Sequence, residues 1–202
     1  MNANTIETRN KAVWGGRVRL AVMLAVAVLG AVVLSSCSET VRTGEGSSYL
    51  VITNMTGGPQ NDTTVESDVV SDTGSIFTDT GTATFQLSMK DVLNQPTANN
   101  AITLTQYRVE YIRSDGHNVP GVDVPYSFTS GVSATIASSG SVGFTLVRTQ
   151  AKEEAPLKAL RDNGGQHAIS VIARITFYGH DQTGREVSVS GNLDVTFADW
   201  AG

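Results

Sequence analysis

ISVIARITFYGHDQTGREVSVSGNLDVTFA, residues 169–198, decides the fold. Ile169, Val171, Ala173, Ile175 and Phe177 alternate with mostly polar neighbours. The segment His180-Asp181-Gln182-Thr183-Gly184 follows, rich in turn formers. Val187, Val189, Gly191, Leu193, Val195 and Phe197 then take one face. Glu186, Ser188, Ser190, Asn192, Asp194 and Thr196 take the other. A period of two with one polar face is the pattern of half-buried antiparallel strands. The spacing therefore predicts a long hairpin, 168–178 paired with 185–198. Gly191, inside the second strand, predicts a bulge or a bend.

Working outward, the same period recurs. Ala83, Phe85, Leu87 and Met89 oppose Thr84, Gln86 and Ser88. Over 102–113, Thr103, Thr105, Tyr107, Val109 and Tyr111 share one face, and Gln106, Arg108 and Glu110 the other. Val142, Phe144 and Leu146 mark another strand. Residues 48–54, 123–128 and 132–137 are shorter β-prone runs, and 55–75 reads as a long polar loop. One helix is expected over 153–162. Pro156 suits its first turn, Glu153 and Glu154 its positive end, and Gly164-Gly165 its stop, with Leu157 and Leu160 buried.

About eight strands without a βαβ alternation make the chain all-β. The expected architecture is a two-sheet antiparallel sandwich with one short helix, and a closed barrel is the alternative. The sandwich resembles the immunoglobulin fold in architecture alone. Its Cys…Trp…Cys signature is missing, since Trp200 lies past the last strand and the chain has 1 Cys.

The N-terminal segment, residues 1–37, has a different composition. Arg9, Lys11, Arg17 and Arg19 precede Leu20–Leu34, an uncharged apolar run that ends in Leu34-Ser35-Ser36-Cys37. The run is shorter than the ~20 residues a spanning helix needs and has the length of a signal-peptide core. The segment Leu34–Cys37 resembles the lipobox of bacterial lipoproteins. That resemblance implies a signal-peptide helix within residues 1–36, cleavage between Ser36 and Cys37, and a diacylglyceryl group on the Cys37 thiol. Residues 37–47 then form a lipidated, polar tether, and 48–202 the sandwich domain. Ser38, standing where Asp would signal inner-membrane retention, points to the outer membrane by the same resemblance. The implied localisation is the cell envelope, facing the periplasm or the cell surface.

Stretches 42–57, 121–128 and 177–191 are also similar to bacterial lipoproteins that carry no assigned activity. The resemblance therefore implies a location and no reaction.

Charge narrows the partners. The net charge is −5 overall. The leader holds four basic side chains against Glu7, so the remainder is more acidic still. Such a balance, with no basic stripe, disfavours nucleic acid. The expected partners are the membrane, through acyl chains on Cys37, and an envelope protein or glycan. A single Cys leaves the fold without an internal disulfide.

Chemistry is sparse. His117, His167 and His180 lack the spacing of a helical zinc site, and no G-x-S-x-G elbow occurs. His180-Asp181 reads as turn chemistry. Asp62, Glu66, Asp68, Asp72 and Asp79 form an oxygen-rich stretch without a calcium-loop pattern. Arg108, Arg113 and Arg174 sit on strand faces suited to a binding surface. We expect no catalytic residues, no metal and no cofactor. The expected role is a non-catalytic binding or structural module. The alternatives are a subunit or assembly factor of an envelope complex, a small envelope enzyme, or a carbohydrate-binding accessory domain.

Overall fold

The structure, a computed structural model, describes residues 46–162 and 166–200. Ser36, Cys37 and the leader lie outside the described residues, as does the expected helix stop at Gly164-Gly165. Eight strands follow in chain order: β1 (Ser48–Gly57), β2 (Thr64–Asp68), β3 (Asp79–Met89), β4 (Ile102–Ile112), β5 (Phe128–Ile136), β6 (Ser139–Val147), β7 (Ile169–Asp181) and β8 (Glu186–Ala198). They form one sheet ordered β1-β3-β6 and another ordered β2-β8-β7-β4-β5. Both sheets have open edges, so the molecule is a two-sheet sandwich and not a closed barrel.

The predicted hairpin is present. β7 and β8 pair without interruption from Ile169↔Phe197 to His180↔Glu186. Gly191 sits in that ladder with no bulge, contrary to expectation. A Cβ there would lie 2.6 Å from Met55 Cε and 3.1 Å from Ile52 Cδ1. The glycine is needed for close approach of β1 side chains from the other sheet.

Register slips lie elsewhere, one in the β3–β6 ladder between Asp79 and Thr80 and two at threonines. The β1–β3 register slips between Ile52 and Asn54, and both ladders of β4 slip between Leu104 and Gln106. A bulge reverses which parity faces the core. Ile102 and Leu104 are buried before the slip in β4, and Tyr107, Val109 and Tyr111 after it. The expected single face starting at Thr103 and Thr105 therefore fails over its first half: Thr103 is half-buried and Thr105 exposed.

The expected polar loop 55–75 also contains structure. β1 runs on to Gly57, a turn follows, and β2 then crosses to the other sheet and pairs parallel with β8, Thr64↔Asp194 to Asp68↔Ala198. Among the described strands, the other pairings are antiparallel. A first strand split between the two sheets explains the parallel one. Residues 123–128 are loop apart from Phe128, and 132–136 belong to β5.

The single helix of 153–162 is replaced by two shorter pieces. Helix α1 spans Thr149–Glu153, and Leu157–Leu160 form a 3₁₀ turn opened by Pro156. Proline disfavours helical backbone in the residue before it and brings no amide donor. Glu154, the residue before Ala155-Pro156, closes α1 in an extended conformation at φ −112°, ψ 163°. Glu153 and Glu154 thus end a helix rather than start one. Leu157 and Leu160 are buried as expected.

Aromatic rings lock the sheets together. Phe85 of β3 meets Phe177 of β7 edge-on at 5.0 Å, and Phe144 of β6 meets Phe177 at 5.7 Å. The Tyr107 hydroxyl accepts the Thr145 amide at 2.9 Å. Tyr111 OH donates to the Leu146 carbonyl at 2.8 Å, and burial pushes its pKa up, with Arg148 opposing. Both tyrosines tie β4 to β6 across the core.

Candidate binding surface

The hydrogen-bonded registers bring strand ends together at two ends of the sandwich. At the entry end lie the start of β1, the end of β3, the start of β4 and the β7–β8 turn. At the far end lie the ends of β2, β4 and β8 and the starts of β3, β5 and β7.

The far end is built on a buried charge. Lys152 is 1% exposed, and its Nζ lies 2.9 Å from Asp79 Oδ2 and donates to the Asp68 carbonyl at 2.8 Å. Ser67 Oγ donates to the same Asp79 oxygen. Asp199 accepts the Asp162 amide at 2.7 Å, and Trp200 N–H donates to Asp68 Oδ1 at 3.2 Å. A buried ammonium is tolerated only with this degree of pairing. The cluster pins α1, both sheets and the chain after β8 together. Asp68 and Asp79 of the oxygen-rich stretch are thereby engaged in structure. Among the described residues, no three His, Cys, Asp or Glu side chains gather as a metal set.

Over this base lies the β4–β5 loop, residues 113–127. Arg113 N–H donates to Asn118 Oδ1 at 2.6 Å, and the Arg113 guanidinium pairs with Asp115. That hydrogen bond, helped by the His117 amide, holds the Asp115 carboxyl down at about 2. Val119 N–H donates to Asp123 Oδ2 at 3.0 Å, while the Asp123 and Val122 amides return to the Val119 carbonyl. Val124 is buried and roots the loop in the core. Gly121 adopts φ +76°, and a Cβ on it would strike the Tyr126 ring. The loop is thus ordered by its own bonds, yet it exposes Val119, Val122 and Tyr126. Phe77, two residues before β3, and Trp200, two after β8, are exposed at the same end. A pre-ordered loop carrying apolar and aromatic side chains loses little entropy on contact, and such residues supply most contact energy at interfaces.

The sequence candidates do not converge on a single site. His117 is in the far loop and His180 at the end of β7, at opposite ends of the sandwich. Asp181 is buried, and its Oδ1 accepts from the Thr183 amide at 2.8 Å, the Thr183 hydroxyl at 2.6 Å and the Arg185 amide at 3.0 Å. It is a turn bracket, as expected. Burial works to raise its pKa, but the bonds from Thr183 and Arg185 win and hold it low. Arg108 pairs with Glu110 at 2.9 Å and reaches Ser127 at 3.1 Å, beside the far loop. Arg174 is exposed on β7, opposite Glu110 in the register. A depression of about 460 Å³ is lined by residues 57–60 and 62–66, including Asp62 and Glu66. Its walls come from a single turn and the start of β2.

Sequence patterning missed the far surface. Val119, Val122, Tyr126, Phe77 and Trp200 lie in three separate segments, and only the strand registers bring them to one end. No protein-family model matches this chain, and no curated protein matches it.

Proposed function

We propose that this protein is a bacterial envelope lipoprotein, anchored by acyl chains on Cys37, whose sandwich is a non-catalytic binding module. The observation that carries the reading is Leu34-Ser35-Ser36-Cys37 closing the apolar run Leu20–Leu34, with the sole Cys of the chain at the cleavage position. A lone thiol in an exported chain needs a use, and lipid attachment supplies one. Two or three acyl chains suffice for stable anchoring. The fold supports the binding role, because β1 begins at one end and the self-ordered apolar loop sits at the other. A tethered sandwich of this layout presents Val119, Val122 and Tyr126 away from its attachment point. An envelope protein or glycan is the partner class, and aromatic side chains suit either.

Metabolic labelling with a palmitate analogue tests the anchor. The wild-type chain takes up label and sediments with membranes, while Cys37→Ala does neither. Equal behaviour of the two chains would refute the anchor. The binding role is tested by crosslinking in membranes. Val122→Asp/Tyr126→Ser removes the crosslinked species seen with wild type while thermal unfolding stays unchanged. Persistence of the same species in the variant would rule out the far loop as the binding surface.

A further inference from the structure

The entry end carries its own exposed apolar pair. Val92 and Leu93, in the β3–β4 loop, are 86% and 88% exposed, the two most exposed large hydrophobic side chains among the described residues. Their loop is not loose. Asp91 Oδ1 accepts the Leu93 amide at 3.0 Å, and Asp91 Oδ2 accepts from Asn94 Nδ2 at 2.8 Å. The Asp91 side chain therefore fixes a turn that holds two apolar side chains out from the domain.

The same loop is stapled to the chain entering the sandwich. The Lys90 amide donates to the Ser47 carbonyl at 2.9 Å, and Asn100 Nδ2 donates to Ser47 Oγ at 2.6 Å. Ser48 Oγ donates back to the Asn100 carbonyl at 2.9 Å. The apolar tip and the entering backbone thus leave the sandwich at one end. Residues 38–45 are all that separates Cys37 from Gly46. Even fully extended, a segment of that length reaches only about 30 Å.

We propose that the Val92–Leu93 tip inserts into the lipid surface that holds the anchor, so that the sandwich stands on the membrane at its entry end. This rests on Cys37 being lipidated. Two side chains are too little to recruit an acidic domain to a bilayer from solution. On a short tether the effective concentration reaches the millimolar range, and a weak contact is then well populated. The depth involved is the ~5–10 Å of the headgroup and upper acyl region. Standing this way, the domain directs its far loop outward.

The test uses the full chain, expressed with its leader and purified from membranes. Once residues 1–36 are removed, Trp200 at the far end is the only tryptophan. Leu93→Trp adds a second indole at the tip, where exposure leaves the fold unstrained. Each protein is placed in phosphatidylcholine vesicles with plain or brominated acyl chains. Bromine should lower the emission of Leu93→Trp by about twofold, as befits an indole at interfacial depth. Wild type should change little, and Val92→Asp added to Leu93→Trp should abolish the quenching. Equal emission of Leu93→Trp in the two vesicles, from protein whose mass shows acyl chains, overturns the proposal. So does a blue-shifted emission that bromine leaves intact, which would mean that protein, such as a second copy, covers the tip. A mass without acyl chains overturns the anchor reading itself, and the inference with it.

Discussion

Gly179 faces backbone. A Cβ there would strike the Thr103 carbonyl oxygen and lie 2.9 Å from Leu104 Cα, at the β4 bulge. Neither neighbour can rotate away, so Gly179→Ala should destabilise by about 2–4 kcal/mol in urea unfolding. Gly131, across from Gln106 on the other side of the same bulge, has open space around it. Gly131→Ala should be neutral or stabilising by about 0.4–1 kcal/mol, since alanine restricts the unfolded chain. Asp181 sets a pH dependence. Its carboxyl titrates lower in the folded state than in the unfolded one, where about 3.9 applies. Its contribution is therefore complete above the unfolded value and lost as pH falls through the folded one. Melting temperatures of wild type and Asp181→Asn should differ most at pH 5–7 and converge as the pH falls below the unfolded value and through the lower folded one. These sites were unevenly legible. His180-Asp181 as turn chemistry could be read from residue type alone. Gly191 could not, because its reason lies on β1 in the other sheet: an interior glycine signals a bulge or a close approach equally, and here it is the approach of Met55 and Ile52.

Elements with strict alternation were plain in the sequence, and those with a local exception were not. β7 and β8 keep one parity over their paired length, so pattern and structure agree. β4 reads as one face only until the bulge near Thr105 reverses it, and threonine gives no warning of that. β2 was hidden for another reason. Thr64–Asp68 has a single large apolar residue, Val65, and its partner strand lies far along the chain. The expected helix 153–162 is interrupted at Ala155-Pro156, since a proline disfavours helical backbone in the residue before it. What holds α1 in place is the Lys152–Asp79 contact. Lys152→Met should cost about 3 kcal/mol, since it leaves the Asp79 carboxylate and the Asp68 carbonyl without their cation. Lys152→Met/Asp79→Leu should recover much of that loss, because replacing both partners by apolar groups removes the desolvation penalty as well. Chemical unfolding of the two variants checks both values; a double variant less stable than the single one would contradict this account.

At the scale of the whole molecule, the two ends of the sandwich differ in what they expose. The entry end pairs the start of β1 with the Val92–Leu93 tip. The far end pairs the buried Lys152 cluster with the self-bonded loop around Tyr126. The all-β, two-sheet architecture could be read from alternation in the chain, whereas this polarity could not, because it depends on which strand ends are brought together. The account joins the two ends through Cys37, and intact-mass measurement of the protein extracted from bacterial membranes tests that link most directly. The account predicts one mature species beginning at Cys37 and carrying a diacylglyceryl group, with or without a third acyl chain on the new amine. A species that retains residues 1–36, or one that begins at another residue without added lipid, would contradict it.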